Sequence, residues 1–452
     1  MLFILFFLST IILFYKSFSV FFVQDDFFIF SVARAINIEE YLNFFIPRMD
    51  TTNYRPLCLQ TQYLIFYQLF GLNPFPYHLL AIAIHALNGV LIFNLLRLFL
   101  KKTLPPALAA FLFVTSWTHF YSLNWIVCNC NDTSLFFILL YFLTFFKLKT
   151  NKLFIPEIML IGALFSNETA VSAPLILFII LVFRKIVDKT TLTRVFVHFL
   201  LIVFYVYYRF VMHAAPTANT YAIGLSMKSF KNMWFFLLWL FNASEEIVLH
   251  LKHNGLFFFT DAWFFKQFPV YTPAICVFLS ITILFLMYLF LRERTKFSAR
   301  IIIFGAAWFI TGILPVLFIP NRVYPYYPYL AQIGFWIIFA HLITTDFSKL
   351  NKIFLFLYIA ANIFTLRVTY QTHWLPQESH QTKYYLHKFK KLQIPKNAAN
   401  ILIPIKNQQA RNGLMEGKAF NVALNNYKIN FYLEEKNVPE NVRSKVYKIN
   451  IE

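Results

Sequence analysis

The stretch Val23-Gln24-Asp25-Asp26-Phe27 decides how this chain is arranged, because it places two adjacent carboxylates directly after a long apolar segment. That segment, residues 2–22, carries one charge, at Lys16, and is long enough to cross a hydrocarbon core about 30 Å thick. It has no basic start and no small-residue cleavage site, which predicts a retained first span rather than a removed signal peptide. Asp25 and Asp26 are therefore expected where the chain leaves the bilayer, either as caps of the next helix or as a pair that titrates together.

The composition is that of a multi-span membrane protein. Of the 452 residues, 59% are hydrophobic and only 13% are charged, whereas about 25% of the residues of a typical soluble domain are charged. The formal net charge of +20 would suit nucleic acid, but the sequence has no basic arm with interleaved aromatics, so nucleic acid is not expected as a partner. Sixteen of the 40 Lys and Arg residues instead cluster between apolar segments, the positive-inside pattern of cytoplasmic loops. They are Arg97, Lys101, Lys102, Lys147, Lys149, Lys152, Arg184, Lys185, Lys189, Arg194, Arg292, Arg294, Lys296, Arg300, Lys349 and Lys352.

Residues 1–370 are predicted to form an all-α polytopic membrane domain with about eleven transmembrane helices. The predicted spans are 2–22, 78–99, 105–122, 132–147, 153–166, 170–184, 195–212, 272–291, 300–319, 324–343 and 352–370. With the basic clusters inside, the N-terminus is cytoplasmic and the C-terminus lies outside. Several of the spans are short, which suits helices that line a cavity.

Two long outer loops and a polar tail complete the predicted arrangement. The loops, 23–77 and 213–271, contain the apolar runs Leu59–Phe70 and Trp234–Leu251, which are predicted to be helices lying in the membrane interface. An extra hairpin of short spans is the alternative for the second loop. Residues 371–452 have a soluble composition and short β-prone runs, which predict a small α/β or β domain outside.

The acidic residues point to a polar cavity that opens outward. Fourteen Asp and Glu precede residue 371, and ten of them fall on the predicted outer side. These ten are Asp25, Asp26, Glu39, Glu40, Asp50, Asp132, Glu168, Glu245, Glu246 and Asp261. Acidic residues contribute little to topology, so the positive-inside rule does not require this bias. Helix capping by Asp132 and Glu168 is the alternative for those two positions.

Arginine and histidine residues supply the other candidate site groups. Arg55, in Asn53-Tyr54-Arg55-Pro56-Leu57, is suited to a phosphate because its planar guanidinium binds two oxygens at once. Arg322 is a second candidate, although an aromatic belt with an anchoring Arg would give the same pattern, as interfacial snorkelling would for Arg55. His78, His85 and Asn88 lie near one stripe of the second span and are predicted to face the polar cavity.

The four cysteines have no metal-ligand spacing. Cys128-Asn129-Cys130 brings two sulfurs together but offers no further ligands, so Cys58, Cys128, Cys130 and Cys276 are interpreted as packing residues. The sequence is compatible with a divalent metal but does not imply one.

Taken in order, these motifs resemble the integral-membrane GT-C glycosyltransferases. The order is an acidic pair after the first span, Asn-Tyr-Arg-Pro-Leu, Asn-Pro-Phe-x-Tyr-His, His-Ala-Leu-Asn, an outer Asp, Ser-x-Glu and Arg-x-Tyr. It is most similar to the transmembrane O-mannosyltransferases that carry TPR repeats and to their bacterial relatives. The resemblance covers residues 20–180 well, residues 320–335 loosely and the remainder only by hydropathy. Asn167 stands where the family has Lys, the surroundings of Arg322 are altered, and no TPR repeats follow.

The resemblance implies a polyprenyl-phosphate sugar as donor and an acid of the first loop, Asp25 or Asp26, as catalytic base. We therefore expect an inverting transferase with a glycan, lipid or protein acceptor, a phosphate held by Arg55 and Arg322, and a bacterial inner membrane as its location. A transporter or flippase for a lipid-linked glycan is the first alternative, and it would bind the same groups without chemistry. A polysaccharide polymerase or ligase is the second.

Overall fold

Helices form most of the regular structure in the part of the chain that the computed structural model describes. The described residues are 1–47, 54–100, 102–147, 154–211, 222–250, 252–254, 257–259, 262–395 and 398–451. Seven residues named in the sequence predictions lie outside them, namely Asp50, Asn53, Lys101, Lys149, Lys152, Leu251 and Asp261.

The first part of the chain consists of long apolar helices separated by short ones. The α-helices are α1 (Leu2–Phe14), α2 (Asp25–Val32), α3 (Ile38–Leu42), α4 (Gln62–Phe70), α5 (Pro74–Arg97), α6 (Leu104–Thr115), α7 (Phe120–Asn124), α8 (Cys130–Lys147), α9 (Phe154–Ser166) and α10 (Ala173–Arg184). Short 3₁₀ or π-helical turns extend or join them at Tyr15–Ser19, Asn43–Phe45, Pro56–Thr61, Trp117–His119, Ile126–Asn129 and Glu168–Ser172.

The second part adds further long helices and a polar tail. Its α-helices are α11 (Lys189–Val206), α12 (Met227–Leu240), α13 (Glu245–Leu249), α14 (Ala262–Gln267), α15 (Tyr271–Glu293), α16 (Ala299–Leu317), α17 (Gln332–Thr344), α18 (Lys349–Thr372), α19 (Trp374–Phe389), α20 (Gln408–Gly413) and α21 (Lys418–Leu424). Its strands are β1 (Lys252–Asn254), β2 (Phe257–Phe259), β3 (Asn400–Leu402), β4 (Asn430–Tyr432) and β5 (Tyr447–Lys448). The remaining turns are Tyr207–Val211, Arg294–Lys296, Tyr327–Tyr329, Met415–Gly417, Glu435–Asn437 and Glu440–Lys445.

The helices agree with the predicted all-α membrane class. Among the described residues, seven helices are long and apolar enough to cross a membrane. They are Leu2–Ser19, Pro74–Arg97, Ile126–Lys147, Lys189–Arg209, Tyr271–Leu291, Ala299–Leu317 and Lys349–Thr372. The other four predicted spans coincide with the shorter helices α6, α9, α10 and α17, so the total of eleven crossings stays a prediction.

The sequence shows why α5 is the longest uninterrupted element near the site. Asn73 caps the helix by accepting a hydrogen bond from the Phe75 amide, and Pro74 occupies the first turn, where its missing N–H costs nothing. The helix is 24 residues long, which gives a rise of about 36 Å. Arg97 lies in the last turn, where a cation is favoured by the helix dipole. The helix therefore reaches from the acidic loop to the opposite end of the bundle.

Helices α16 and α17 approach each other closely through two glycines. A Cβ atom added to Gly305 would lie 2.6 Å from the Gly334 carbonyl oxygen, a separation that real Cβ atoms do not show. Small residues at such crossings let two apolar helices gain dispersion contacts where water gives no driving force. A side chain larger than hydrogen at either position would push the helices apart.

Basic residues from different loops meet at the end of the bundle where α5 terminates. One surface depression is lined by Arg97, Arg184 and Arg300, and a neighbouring one by Lys102, Lys296 and Arg300. These residues are far apart in sequence, so the grouping arises from the fold. Residues grouped at one end of a bundle can share one side of a membrane, and which side they face stays a prediction.

The tail that follows α18 contains a small parallel sheet and packs against the first loop. Strand β3 lies between β4 and β5 and pairs in parallel with both. The predicted β-prone runs contain β3 and β5. The Gln24 backbone N–H donates to the Gly413 carbonyl over 2.9 Å, and the Tyr67 hydroxyl donates to the Val422 carbonyl over 3.0 Å.

Candidate functional site

A cavity of about 230 Å³ brings the first loop together with residues from five later parts of the chain. Its polar lining consists of Asp25, Arg55, Asn131, Asn167, Glu168, Thr169, Arg209, Arg322, Tyr326 and Tyr327. Its apolar lining includes Val171, Val206, Ile223, Pro315, Val316, Phe318 and Ile319. Charged groups beside an apolar wall suit a ligand with a charged head and a hydrocarbon tail.

Arg55 is held in the cavity by a two-pronged ion pair with Glu168. Its Nε atom donates to Glu168 Oε2 over 2.9 Å, and its Nη2 atom donates to Glu168 Oε1 over 2.8 Å. Burial opposes the ionisation of Glu168, but the charge and hydrogen bonds of Arg55 outweigh it and hold the pKa of Glu168 at about 2. A guanidinium has five N–H donors, so Arg55 is oriented by Glu168 and retains N–H groups for a ligand.

Two further arginines line the same cavity. The Arg322 guanidinium lies 5.5 Å from the centre of the Tyr324 ring, as expected of a cation–π contact. The Arg209 guanidinium lies 5.5 Å from the centre of the Tyr54 ring, and the residue is 5% exposed. With all three arginines and both carboxylates ionised, the five side chains carry one net positive charge, which favours an anionic ligand.

Asp25 is the member of the acidic pair that lines the cavity. It is half-buried and lies in the first turn of α2, where the helix dipole favours a carboxylate. Burial raises the pKa of Asp25 above the usual value of 3.8, while the positive charges of Arg322, Arg55 and Lys418 oppose this rise. A carboxylate with a raised pKa at the edge of a cavity has the properties of a proton acceptor.

Asp26 is enclosed beneath Asp25 and accepts three hydrogen bonds. The Val23 amide donates to Oδ2 over 2.9 Å, the Val127 amide donates to Oδ1 over 3.1 Å, and the Tyr63 hydroxyl also donates to Oδ1. Burial nevertheless raises the pKa of Asp26 to about 7, because three donors do not replace its lost hydration. Asp26 is 1% exposed, so its position indicates that it anchors the loop carrying Asp25.

The structure places His78, His85, Asn88 and Asp132 below the floor of the cavity rather than in its lining. His78 lies between two carbonyl oxygens, 2.9 Å from that of Val20 and 3.0 Å from that of Leu123. The other three form one cluster around Asp132. The polar stripe predicted on α5 is therefore present. Helices α6 and α8 pack against it, however, so these side chains do not line the cavity as the sequence predicted.

The interpretation of all four cysteines as packing residues is wrong. Cys58 and Cys130 form a disulfide between the turn that follows Arg55 and the start of α8. The two residues are 72 positions apart, and their Cα atoms lie 5.3 Å apart, a separation that the fold alone creates. Cys128 and Cys276 are free thiols, and Cys128 lines the cavity.

Arg209, Asn131 and Trp125 line the cavity without having been identified from the sequence. Arg209 lies within the predicted span 195–212, and an intramembrane arginine is itself a signal of function. It was missed because its position near the end of a span also fits snorkelling. Asn131 and Trp125 have no sequence signal that distinguishes them from ordinary loop residues.

Comparisons of the chain with protein-family models, with curated proteins and with solved structures find no match. The resemblance to GT-C glycosyltransferases therefore stays a prediction, and the site carries the functional argument alone.

Proposed function

We propose that the chain is a membrane glycosyltransferase that moves a sugar from a polyprenyl-phosphate donor to an acceptor hydroxyl. One observation carries the proposal: Asp25, three arginines and an apolar wall line a single cavity. A phosphate suits the arginines, a polyprenyl chain suits the apolar wall, and a carboxylate beside them can accept a proton. The acceptor is a hydroxyl of a glycan, lipid or protein.

The proposed reaction is a single displacement with inversion. The acceptor oxygen forms a bond to the anomeric carbon while the bond from that carbon to the phosphate oxygen breaks. The acceptor proton passes to Asp25, and the electron pair of the broken bond stays on the polyprenyl phosphate. General-base assistance contributes a factor of about 10²–10⁴. Arg55, Arg209 and Arg322 stabilise the charge that develops on the leaving phosphate.

The proposal also assigns the two ends of the helix bundle to opposite sides of the membrane. The cavity faces outward, in a bacterial cell toward the periplasm across the inner membrane, and the basic end faces the cytoplasm. Eleven crossings place the tail on the same side as the cavity, in agreement with its contacts to Gln24 and Tyr67. The count of eleven includes the short helices α6, α9, α10 and α17.

The test is a profile of glycans and glycolipids from cells that lack the gene and are complemented with variants. The wild type should restore a missing glycoconjugate, and Asp25→Asn should not. Asp346→Asn serves as the matched control, because this acid pairs with Lys296 at the basic end. If Asp25→Asn restores the product while Arg55→Ala does not, the cavity binds a lipid-linked glycan without chemistry, and the transporter function replaces this proposal.

A further inference from the structure

A buried cluster below the cavity floor contains two imidazoles and one carboxylate. His85 comes from α5, His119 from the turn before α7, and Asp132 from the first turn of α8. All three are 2% exposed or less. His85 Nδ1 lies 3.0 Å from Asp132 Oδ1, and His119 Nδ1 lies 4.0 Å from the same oxygen. One ligand atom from each residue falls within 4.8 Å of the other two.

These separations match the spacing of ligands around a small metal ion. Nitrogen and oxygen ligands bind Zn²⁺ at 2.0–2.2 Å, so that neighbouring tetrahedral ligands are about 3.3 Å apart. The two distances to Asp132 Oδ1, 3.0 Å from His85 Nδ1 and 4.0 Å from His119 Nδ1, lie on either side of that value. Two nitrogens and a carboxylate are a donor set typical of zinc and of other first-row divalent ions.

The outer contacts of the cluster also fit a metal site. His85 Nε2 lies 3.1 Å from the Val114 carbonyl oxygen, the partner that a metal-bound histidine commonly has on its other nitrogen. His119 Nε2 lies 3.1 Å from the Gln332 side-chain amide. The contacting atom is the amide nitrogen, while the amide oxygen accepts from Thr118 Oγ1. The His119 ring also hydrogen-bonds the Phe113 carbonyl, so binding of an ion by Nδ1 requires the amide to turn over and accept from the Nε2–H group.

Two buried oxygens in the cluster are left without partners. Asp132 Oδ2 and Asn88 Oδ1 have no hydrogen-bond donor among the described residues. The Asn88 side-chain nitrogen donates to the Asp132 carbonyl over 2.8 Å, so both oxygens belong to the same cluster. An unpaired buried oxygen is costly, and a cation would satisfy it.

We propose that His85, His119 and Asp132 bind a divalent transition-metal ion, with zinc as the best fit, in a structural site. Asn131, which lines the cavity, directly precedes Asp132. The ion would join α5, the loop after α6 and the start of α8, and would thereby hold the cavity floor from below. The site does not depend on the proposed transferase activity.

The metal content of the full-length protein tests the proposal. The protein is purified in detergent with a peptide tag that does not bind metals and is analysed by inductively coupled plasma mass spectrometry. We expect about one zinc or similar ion per chain. Asp132→Asn and His85→Gln should lower this content at least tenfold. His78→Gln is the matched control, because His78 is equally buried on α5 but lies outside the cluster.

A measurement on the wild type covers the case in which the variants do not fold. If ions bind, zinc added to chelator-treated protein should raise its melting temperature, and the His78→Gln protein should respond equally. Two results together would overturn the proposal. The wild type purified from zinc-supplemented cells would contain no metal, and neither chelator nor added zinc would change its melting temperature. The cluster would then be held by the hydrogen bond between His85 and Asp132 alone.

Discussion

Of the adjacent residues Asp25 and Asp26, only Asp25 lines the cavity. The groups around Asp25 predict how the rate of transfer depends on pH. Burial raises the pKa of Asp25, and a base acts only when ionised, so the rate should fall as the pH drops through this raised value. Arg322 favours the charged carboxylate. Arg322→Gln should therefore move the acidic limb of kcat/KM to higher pH.

The measurement is the rate of transfer by detergent-purified protein between about pH 4 and pH 8. Arg34→Gln is the control, because Arg34 lies 4.1 Å from the centre of the Tyr427 ring, whereas the charges that act on Asp25 are those of Arg322, Arg55 and Lys418. If the acidic limb stays in place in the Arg322 variant, Asp25 is not the base.

Because Asp26 is enclosed and hydrogen-bonded, its replacement should lower the stability of the protein and not only the rate of transfer. In Asp26→Asn, the amide nitrogen must replace one of two oxygens that both accept hydrogen bonds. At least one buried N–H or O–H then faces another donor, which costs about 1–3 kcal/mol. We expect a lower melting temperature for Asp26→Asn and a nearly unchanged one for Asp25→Asn. Equal melting temperatures of the two variants would contradict the anchoring role.

At the scale of elements, the tail positions the loop that carries Asp25. Gln24 has a φ of 47°, which side-chain-bearing residues rarely adopt. This conformation is held by the Gly413 carbonyl and by Glu378, whose Oε2 atom accepts from Gln24 Nε2 over 2.6 Å. Ser379 Oγ accepts from the Phe21 amide over 2.7 Å. Strain of this kind persists only where surrounding contacts maintain it.

Removal of the Gln24 contact should therefore reduce transfer more than it reduces folding. We expect Glu378→Ala to lower kcat several-fold with little change in the donor KM. Glu378→Gln, which keeps an oxygen acceptor, should recover most of the activity. Glu440→Ala is the control, because Glu440 belongs to the same tail and is exposed. Equal losses in Glu378→Ala and Glu378→Gln would show that the hydrogen bond to Gln24 does not matter.

The disulfide joins two elements of the cavity wall, and its loss should destabilise both. A bond that closes a loop of 72 residues restricts the unfolded chain, a contribution of about 4 kcal/mol in the chain-entropy model. Cys58→Ser should lower the melting temperature and abolish its sensitivity to reductant. Cys276→Ser, which removes a free thiol, should do neither. A wild-type melting temperature that reductant leaves unchanged would contradict this prediction.

At the scale of the whole molecule, hydropathy predicts elements but not their neighbours. Each predicted span overlaps a helix, because apolar length is a local property. Arg55, Asp25, Glu168 and Arg322 were identified because charged groups near a bilayer are conspicuous in sequence. The Cys58–Cys130 pair, Arg209 in the cavity and the covered histidines depend on which helices pack together, and periodicity does not determine that.

The orientation of the molecule is predicted independently by its two ends. Disulfides form in oxidising compartments, so Cys58–Cys130 indicates that the cavity faces outward. The basic residues gather where α5 ends, at the opposite end of the bundle. Alkaline phosphatase fused after Ile451 should therefore be active, since this enzyme needs an oxidising environment. The same enzyme fused after Asp188, between α10 and α11, should be inactive. The reverse pattern of activities would place the cavity in the cytoplasm and exclude a donor presented from the outer leaflet.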